Sequence, residues 1–404
     1  MAYRNWGLVA FLIEMVEEKC PMSDGAKAKV CIIIGSLRAG GAERVAVWLA
    51  DELDKLGCEV AVVTYSDPIN DFYRVPDAVQ RDRINVSRKG SSLFHKLLRN
   101  LDRITMLRRY IKQSRASHVI AFMPHESVLA TVSCFGLGVR VVVSERNAPW
   151  HRSPGKVWER LRRLVYRFSA AQVVQTDKIA QWLRKEVRSS EVFVIPNAVQ
   201  WPLVVADPVI DPSSYLQPER KILLAVGSKP FQKGLDLLVD AFSIVANDHK
   251  EWDLVILPFR AGNSERHLTT EGILQSAESA GIRDRIVLPG FVGNIQSWYE
   301  AADIFVLSSR FEGFPNSLIE AMAAGKACVA YACDTGPEEI IRDGIDGLLV
   351  RELTPEALAC TLSRVMDDPA LRERLAREAP HVAERYAPNS IMTKWCEVLA
   401  LEEE

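Results

Sequence analysis

Short runs rich in valine and isoleucine alternate with longer amphipathic stretches along most of the chain. Near-continuous apolar strands separated by helices are typical of parallel sheets with both faces covered. The predicted strands are 30–35, 59–64, 118–122, 139–144, 171–175 and 192–195, then 221–227, 253–258, 285–288, 303–307 and 327–331. The pattern therefore predicts an α/β fold with doubly wound parallel sheets.

The alternation lapses once, between Pro196 and Glu219, and begins afresh at Lys221. That stretch holds five prolines, which indicates a linker. A chain of 404 residues is also too long for one hydrophobic core. We therefore expect two α/β domains that face a central cleft at the carboxyl ends of their strands. The predicted divisions are 1–29 as a leader, 30–200 and 221–388 as domains, 201–220 as the linker and 389–404 as a closing helix.

Composition excludes several classes of protein. Apolar residues make up 48% of the chain and charged residues 25%, as in an average soluble domain. The eight cysteines form no C-x-x-C pair and no Cys/His cluster at zinc-ligand spacing, so we expect reduced thiols and a cytoplasmic location. The apolar run from Trp6 to Val16 carries Glu14 and is too short for a bilayer span or a signal peptide, so we expect no export. A frayed leader, an upstream start-site choice and an interfacial anchor helix remain open for it.

The net charge of −2 hides an asymmetry between the two halves. Residues 1–200 hold 31 Lys and Arg against 20 Asp and Glu, a net +11. Residues 201–404 hold 19 against 32, a net −13. The first half is therefore expected to face an anionic partner.

Two glycine-containing loops follow predicted strands and precede predicted helices. In the first, Gly40 and Gly41 leave backbone N–H groups open to an anion at the helix start. In the second, Ser228, Lys229 and Lys233 surround a similar turn, where a lysine ammonium adds charge to the helix terminus. Each loop fits a phosphate site, and each also fits a structural turn with solvated lysines.

A pair of glutamates follows the predicted strand 303–307. Glu312 lies in the loop, Gly313 and Pro315 interrupt the chain, and Glu320 lies one turn inside the next predicted helix. A capping or surface role for either glutamate is the structural alternative. The loop position places Glu312 at the expected mouth of the cleft.

The start of that helix also suits a nucleotide. Asn316 or Ser317 is expected to cap it, and the backbone N–H groups near Ser317 and Leu318 are placed for a diphosphate. Glu320, a turn deeper, is able to accept hydrogen bonds from vicinal hydroxyls such as those of a ribose. The segment thus predicts a site for a nucleoside diphosphate.

Glu312 and Glu320, eight residues apart, resemble the paired-glutamate motif of the retaining family-4 glycosyltransferases, whose GT-B fold has two Rossmann-like domains. Four further segments match this family in the same order: Gly-Gly-Ala-Glu-Arg at 40–44, Gln-Lys-Gly-Leu-Asp at 232–236, Gly-Phe-Val at 290–292 and Asp-Gly-Ile-Asp-Gly-Leu-Leu-Val at 343–350. The resemblance implies a first domain that binds the acceptor, a second that binds the nucleotide sugar, and a C-terminal helix that returns to the first.

Carried over by position, the resemblance also implies individual roles. Glu320 would bind the ribose, and Glu312 would act as a catalytic residue that contacts the donor sugar near the reacting carbon. The Ser317 and Leu318 amides would hold the diphosphate together with Lys233.

The chain departs from the family at one position of this site. The family usually has an arginine where this chain has Ser228. Lys229 and Arg310 are the candidate replacements, although an ammonium lacks the bidentate geometry of a guanidinium.

The predicted chemistry needs no cofactor. Retaining members of the family are thought to let the leaving group depart from the face at which the acceptor attacks. The sequence offers no obvious nucleophile triad and no strand-end Asp-x-Asp for a metal-bound diphosphate. We therefore expect a metal-independent reaction that uses positioning and electrostatic stabilisation of the leaving phosphate, with the nucleotide sugar as co-substrate.

Polar residues also follow two strands of the first predicted domain. His125, after 118–122, is a candidate catalytic residue that hydrogen-bonds a sugar hydroxyl, and a structural or solvated histidine is the alternative. The segment 143–149 is similar to bacterial family members that elongate glycans on polyprenyl diphosphate. That similarity implies acceptor-side roles for Glu145 and Arg146.

Two predicted helices of the same domain are basic and amphipathic. Residues 81–115 hold eleven Lys and Arg against two Asp, with apolar residues at helical spacing. Residues 156–168 carry an apolar face and, opposite it, a basic stripe whose arginines are acceptor-side candidates. The stripe consists of Lys156, Arg160, Arg163 and Arg167.

Three interpretations of these basic faces compete: solvated helices packed on their own domain, a nucleic-acid surface, and attachment to anionic lipid. The sequence lacks aromatic stacking platforms and recognised nucleic-acid modules, so we expect no nucleic-acid partner. An enzyme whose acceptor carries a prenyl chain needs to sit on a membrane without spanning it. We therefore expect a peripheral position on the inner face of the cytoplasmic membrane.

The sequence as a whole predicts a retaining glycosyltransferase that moves a hexosyl or N-acetylhexosaminyl residue from a nucleotide diphosphate sugar, UDP-linked, to a lipid-linked glycan. Such a reaction belongs to the assembly of cell-surface polysaccharide or glycoprotein glycans. Two alternatives stay open: the same fold acting on a soluble acceptor or as a sugar-nucleotide epimerase, and a non-catalytic nucleotide-sugar-binding scaffold at the membrane.

Overall fold

The computed structural model describes residues 27–86, 92–189, 191–257, 264–265 and 268–401. The chain divides into two compact units: Met1–Ile195 with Ile391–Glu404, and Pro196–Ser390. Most of the predicted leader lies outside the described residues. No helix within the described part of the chain is long and apolar enough to cross a bilayer.

The first unit is built on a seven-stranded sheet whose strand pairs are all parallel, in the order β3-β2-β1-β4-β5-β6-β7. Its strands are β1 Lys29–Ile33, β2 Glu59–Thr64, β3 Gln80–Arg83, β4 His118–Phe122, β5 Arg140–Ser144, β6 Ala171–Val174 and β7 Val192–Val194. Its helices are α1 Gly41–Lys55, α2 Leu93–Ser114, α3 Pro124–Cys134, α4 Lys156–Val165 and α5 Asp177–Val187. Parallel neighbours require helical crossovers, which the amphipathic stretches supply.

The second unit is built on a six-stranded parallel sheet in the order β12-β9-β8-β13-β14-β15. Its strands are β8 Lys221–Val226, β9 Trp252–Leu257, the antiparallel pair β10 Ser264–Glu265 and β11 Leu268–Thr269, then β12 Ile286–Val287, β13 Ile304–Leu307, β14 Ala327–Tyr331 and β15 Leu348–Val350. Its helices are α6 Leu235–Val245, α7 Thr270–Ser279, α8 Ile295–Ala301, α9 Asn316–Ala323, α10 Pro337–Ile340, α11 Pro355–Asp367, α12 Pro369–Glu378 and α13 Val382–Arg385.

The two parallel sheets confirm the predicted doubly wound α/β fold class. All eleven predicted strands are present, and their ends differ from the prediction by at most two residues. The sequence pattern missed β3, β15 and the short antiparallel pair β10 and β11. The first reads Gln-Arg-Asp-Arg and lies at the sheet edge, where hydrogen bonds such as Tyr110 Oη to Asp82 Oδ2 (2.6 Å) replace apolar burial. A strand of that composition carries no apolar signal.

The proline-rich stretch after Ile195 is anchored on the second unit. The Val199 amide donates to the carbonyl oxygen of Tyr386, and the Leu203 amide donates to Gln296 Oε1 at 2.7 Å. The Ile210 amide donates to Asn294 Oδ1 at 2.9 Å. The first segment of the first unit therefore ends at Ile195, and the proline-rich stretch that begins at Pro196 belongs to the second unit.

The last helix, α14 (Pro388–Leu399), packs against the first unit from Ile391 onward. The buried Trp395 ring stacks on Phe122 of β4. His118 Nε2 donates to the Leu399 carbonyl oxygen at 3.0 Å, and the Arg140 guanidinium donates to that of Val398 at 2.9 and 3.0 Å. These bonds close the C-terminal end of the helix, whose last carbonyl groups lack helical partners.

Candidate active site

The carboxyl ends of β8 and β13 bring together two residues that lie 79 positions apart in the sequence. Lys233 follows β8 and Glu312 follows β13, and the two strands are direct neighbours. Lys233 Nζ donates to Glu312 Oε1 at 2.8 Å. Ser309 Oγ donates to the same oxygen at 2.6 Å. The buried Glu312 carboxylate is thus held by an ammonium and a hydroxyl.

The loop of residues 227–234, which carries Lys229 and Lys233 and is called the lysine loop below, approaches the end of β13 very closely at Gly234. This residue has φ of +58°, and a Cβ on it would lie 2.1 Å from the Ser308 carbonyl oxygen. Ser308 Oγ in turn donates to the Lys233 carbonyl oxygen at 2.8 Å. Only glycine fits at this contact, so the glycine of the Gln-Lys-Gly segment sets how near Lys233 lies to Glu312.

Arg310 does not fill the place of the arginine that the family usually has at position 228. Its guanidinium donates to both carboxylate oxygens of Asp236, at 2.7 and 2.6 Å, and to the Phe231 carbonyl oxygen at 2.9 Å. It also lies 4.5 Å from the centroid of the Phe231 ring. Arg310 therefore braces the lysine loop, while Ser228 and Lys229 lie exposed in that loop.

Helix α9 begins differently from the prediction. Pro315 is the N-cap residue and makes no side-chain capping bond, so the expectation that Asn316 or Ser317 caps the helix is wrong. Both already lie inside the first turn. The Leu318 amide donates to the Pro315 carbonyl oxygen at 3.1 Å. The Ser317 hydroxyl is buried and has no hydrogen-bond partner within the described ranges, so it remains able to bind a ligand oxygen.

Glu320 lies one turn further into α9 and is buried. Its Oε2 accepts a hydrogen bond of 3.0 Å from the Tyr299 hydroxyl of α8. Tyr299 is fully buried, and a tyrosine on the apolar face of a helix is indistinguishable from an ordinary core residue in the sequence. Sequence reasoning therefore missed Tyr299 as the residue that orients Glu320.

In the first unit, Gly40 is the N-cap of α1 and Gly41 its first residue. The Glu43 carboxylate folds back over this turn, since a Cβ on Gly40 would lie 2.2 Å from Glu43 Oε2. A carboxylate at the third helical position is the geometry of a capping box. The anion position predicted at these glycines thus already holds a negative charge of the chain itself.

His125 lies in the first turn of α3 rather than in a loop. The turn begins at Met123, a non-glycine residue with φ of +75°, and such strained positions cluster at functional sites. The His125 ring packs edge-on against Trp158 with centroids 4.4 Å apart. Burial and the nearby Arg103 guanidinium lower the pKa of His125, so the imidazole is neutral at neutral pH.

Glu145 and Arg146 are both buried at the end of β5. Glu145 Oε1 accepts hydrogen bonds from Tyr166 Oη at 2.7 Å and from Arg162 Nη1 at 3.3 Å. Burial raises the pKa of Glu145, and it lowers the pKa of Arg146 to about 9. Glu145 is therefore part of an internal polar cluster, with Arg162 as its fully buried partner. The sequence had placed Glu145 on the acceptor side.

The basic stripe is exposed as expected, and Arg163 pairs with Glu186 at 2.8 Å. Helix α4 ends at Val165, and a 3-10 turn carries Arg167. The apolar side chains between the basic ones are exposed as well. They include Val157 at 68% and Leu164 at 51%, with Phe94 at 66%, Leu97 at 58% and Leu101 at 49% on α2.

Two family descriptions match the chain, one on each unit. "Glycosyltransferase Family 4" matches residues 39–200 and "Glycosyl transferases group 1" matches residues 208–382. Together the two matches cover most of the chain.

A relative from Campylobacter jejuni is 26% identical over 92% of this chain and 98% of its own length. It is the GalNAc-alpha-(1->4)-GalNAc-alpha-(1->3)-diNAcBac-PP-undecaprenol alpha-1,4-N-acetyl-D-galactosaminyltransferase. An uncharacterized glycosyltransferase from Haemophilus influenzae is 25% identical over 91% of this chain and 97% of its own length.

Among solved structures, Anabaena HepE in complex with UDP and glucose superposes with a TM-score of 0.74 and 16% identity, over 93% of this chain and 100% of the other. Sucrose-phosphate synthase from Thermosynechococcus elongatus superposes with a TM-score of 0.75 and 16% identity, over 93% and 98%. At this level of identity the likeness shows the fold.

Proposed function

The chain is a glycosyltransferase of the GT-B fold, and from this premise we propose that it transfers a hexosyl or N-acetylhexosaminyl residue from a UDP-sugar, with retention, to a polyprenyl-diphosphate-linked glycan. The observation that carries the proposal is the contact of Lys233 with Glu312 at the carboxyl ends of β8 and β13, with Glu320 held by Tyr299 in the helix that follows β13. The Glu312 carboxylate suits contact with a sugar, the Lys233 ammonium suits a diphosphate, and the Glu320 carboxylate suits a ribose.

Glu320 is the proposed ribose ligand. Tyr299 holds one of its carboxylate oxygens, which fixes the rotamer before a hydroxyl arrives. The unpartnered Ser317 hydroxyl and the start of α9 next to it are proposed to take the diphosphate, because helix N-termini favour anions. Ser228 and Lys229 are proposed as weaker contacts to the same group; Gly40 and Gly41 are not, because the Glu43 carboxylate folds over their turn. The Leu318 amide already donates to the Pro315 carbonyl oxygen, so a diphosphate would share this donor with it.

Lys233 is the proposed electrostatic catalyst. As the bond between the sugar carbon and the diphosphate breaks, negative charge grows on the leaving oxygen, and a positioned ammonium stabilises it. Glu312 would face the positive charge that grows on the sugar ring. No cluster of three metal-ligating side chains occurs within the described ranges, and we propose that the reaction needs no metal.

Retention is supported by simple stereochemistry. The Campylobacter jejuni relative forms an α-linkage, and an α-linked nucleotide sugar yields an α-linked product only if configuration is kept. In that case the acceptor hydroxyl attacks from the face the diphosphate leaves, and its proton passes to the leaving phosphate oxygen. His125 is proposed to orient that hydroxyl as a neutral hydrogen-bonding group.

The lipid-linked acceptor is supported by the same relative, whose substrate is linked to PP-undecaprenol. The exposed basic stripe with Arg160, Arg163 and Arg167, and the exposed apolar side chains around it, suit an anionic membrane surface on the cytoplasmic side. Arg146, near the stripe in sequence, is proposed to act on the acceptor side, and buried Glu145 to position its loop.

The first experiment is thermal unfolding of the purified chain with UDP, GDP, ADP or CMP. A ligand at about 100 times its Kd stabilises by about 2.7 kcal/mol, which shifts Tm by a few degrees. We expect a rise with UDP that is lost in Glu320→Ala and kept in Glu278→Ala, an exposed glutamate of the same unit. A rise with another nucleotide would correct the base, and no rise with any would overturn the donor site.

Turnover is tested with UDP-GalNAc, UDP-GlcNAc and UDP-glucose and a membrane extract as the acceptor source. Release of UDP that requires the lipid fraction, and that Glu312→Ala abolishes, supports the proposal. Release that requires only a water-soluble acceptor would favour the alternative with a soluble substrate. Binding of UDP without any release would favour a non-catalytic scaffold.

A further inference from the structure

A second polar site lies within the first unit, at the carboxyl ends of β1 and β2. Glu126, in the first turn of α3, reaches toward the end of β1. A Cβ on Gly35 would lie 3.0 Å from Glu126 Oε1, so the glycine makes room for this carboxyl group. The backbone amides of Tyr65 and Ser66 both donate to the Gly35 carbonyl oxygen, at 3.3 and 3.2 Å. Strand-end residues of β1, β2 and β4 therefore meet at one place.

Several polar atoms around this place have no hydrogen-bond partner within the described ranges. They are the hydroxyl oxygens of Tyr65 and Ser66 and the Nε of Arg103, and all three are buried. The Arg103 guanidinium lies 4.6 Å from the centroid of the Tyr65 ring. Buried polar atoms are nearly always hydrogen-bonded in proteins, because an unmade bond destabilises the fold. Three of them beside one carboxyl group indicate a site for a ligand rather than a structural core.

The electrostatics of the site favour a neutral ligand. Burial raises the pKa of Glu126 to about 7; the Arg103 guanidinium opposes this shift and the Glu43 carboxylate adds to it. The neighbouring Tyr65 also has a raised pKa, first through burial and then through Glu126. Glu126 and Glu43 together would repel a phosphate, whereas a sugar hydroxyl is able to donate to a carboxylate and to accept from a guanidinium.

We propose that Glu126, Arg103 and Tyr65 bind the hydroxyl groups of a neutral sugar and so form a second carbohydrate site. The inference deepens the proposed function, on which it rests: the donor residues all lie in the second unit, so this sugar belongs to the acceptor. Glu126 accepts from one hydroxyl, and Arg103 and the Tyr65 hydroxyl donate to ring or hydroxyl oxygens. Ionised Glu126 is the better acceptor, so binding strengthens from pH 6 to pH 8.

The test is saturation-transfer NMR on the full chain, saturated with UDP, with the methyl α-glycosides of N-acetylgalactosamine, N-acetylglucosamine and galactose as probes. We expect one of them to bind more tightly at pH 8 than at pH 6. Glu126→Gln is expected to weaken that binding about tenfold and to remove its pH dependence, since a hydrogen bond to a charged group is lost. Glu52→Gln, at a partly buried glutamate that pairs with Lys55, is the matched control and is expected to bind like the parent.

Tyr65→Phe provides a second variant that keeps the ring under Arg103 and removes only the hydroxyl. We expect weaker glycoside binding with an unchanged midpoint in pH. Absence of binding by all three glycosides, or equal binding by the parent and Glu126→Gln, would overturn the inference. The UDP affinity, measured by titration of the same protein preparations before UDP is added, reports on the proposed donor site separately, so failure of one is distinguishable from failure of the other.

Discussion

At the scale of single residues, the candidate site depends on side chains whose charges are already balanced. Lys233 donates to Glu312, and a donor diphosphate would have to share or replace that carboxylate. Tyr299 donates a hydrogen bond to one oxygen of Glu320, the proposed ribose ligand. Each pair sets the position of a reactive group before a substrate arrives, which is where enzymes gain most of their electrostatic stabilisation.

Lys233→Ala is expected to lower kcat/KM for the UDP-sugar by ~10²–10³-fold, the usual effect of removing one positioned donor from a developing negative charge. Steady-state kinetics with a lipid-linked acceptor measure this. Lys229→Ala, at an exposed lysine of the same loop, is expected to have a much smaller effect. Equal losses in the two variants would contradict the assignment of Lys233.

Tyr299→Phe is expected to weaken UDP binding by about tenfold, because the ring still fills the core while Glu320 loses its orienting hydrogen bond. Isothermal titration calorimetry with UDP measures the change. Tyr215→Phe, at a tyrosine that is 45% exposed, is the control. An unchanged UDP affinity in folded Tyr299→Phe would show that Glu320 needs no such support.

At the scale of elements, helix ends and strand ends carry the candidate functions. Helices α2 and α4 expose apolar side chains beside basic ones, which is the composition of an interfacial surface. The helix α14 has the opposite character, with Trp395 buried and its last carbonyl groups bonded to His118 and Arg140. Amphipathic patterns therefore lead to a packed helix in one case and to an exposed apolar face in the other.

The triple variant Phe94→Glu, Leu97→Glu, Leu101→Glu is expected to abolish flotation with liposomes that contain anionic lipid, while Tm stays within a few degrees. The three side chains are half exposed or more, so their replacement removes apolar contact with lipid rather than core packing. Ile69→Glu, at an isoleucine that is 87% exposed outside these helices, controls for the added charge. Flotation that survives the triple variant would exclude α2 from the membrane contact.

At the scale of the whole molecule, two buried titratable groups shape the dependence of stability on pH. His118 has a lowered pKa because of its burial, and it donates to the Leu399 carbonyl oxygen. The unfolded chain therefore binds more protons than the folded chain below pH 6.5, and the free energy of unfolding falls as the pH drops through that value. Glu126 has the opposite effect on the free energy of unfolding, because its pKa is raised on folding.

The pKa of Glu126 rises from 4.5 to about 7 on folding, so the folded chain holds a proton that the unfolded chain releases. The free energy of unfolding is expected to fall as the pH rises from 4.5 to about 7, by at most about 3 kcal/mol. Urea unfolding of Glu126→Gln between pH 5 and pH 8 is expected to remove this slope and to leave the chain more stable at pH 8. An identical slope in the variant would contradict the buried carboxyl group.

His118→Gln provides the complementary measurement on the acid side. The amide retains a donor for the Leu399 carbonyl oxygen and has no charge to gain, so the loss of stability below pH 6.5 is expected to be shallower. His95→Gln, at an exposed histidine, is expected to leave the slope as in the parent.

The sequence by itself determined the fold class, the two units and the paired glutamates. Apolar strand runs and the Glu312–Glu320 spacing are local patterns, and each can be recognised within about twenty residues of sequence. Local patterns also predicted the helix that carries the basic stripe, but they placed His125 in a loop, whereas it lies in the first turn of α3. They did not predict β3, whose polar residues carry no apolar period.

Only the tertiary structure decided which residues meet. Strand order places β8 beside β13 and so brings Lys233 to Glu312. It also places β4 beside β1, and so brings Glu126, in the helix after β4, to Gly35, which follows β1. The Arg310 guanidinium donates to Asp236. The buried Glu145 carboxylate accepts a hydrogen bond from Arg162. The physical reason is that sheet neighbours are set by hydrogen-bonded pairing and helix packing over long stretches of chain. The burial of a side chain and the shift of its pKa depend on those long-range contacts, so they cannot be predicted from one segment of the sequence.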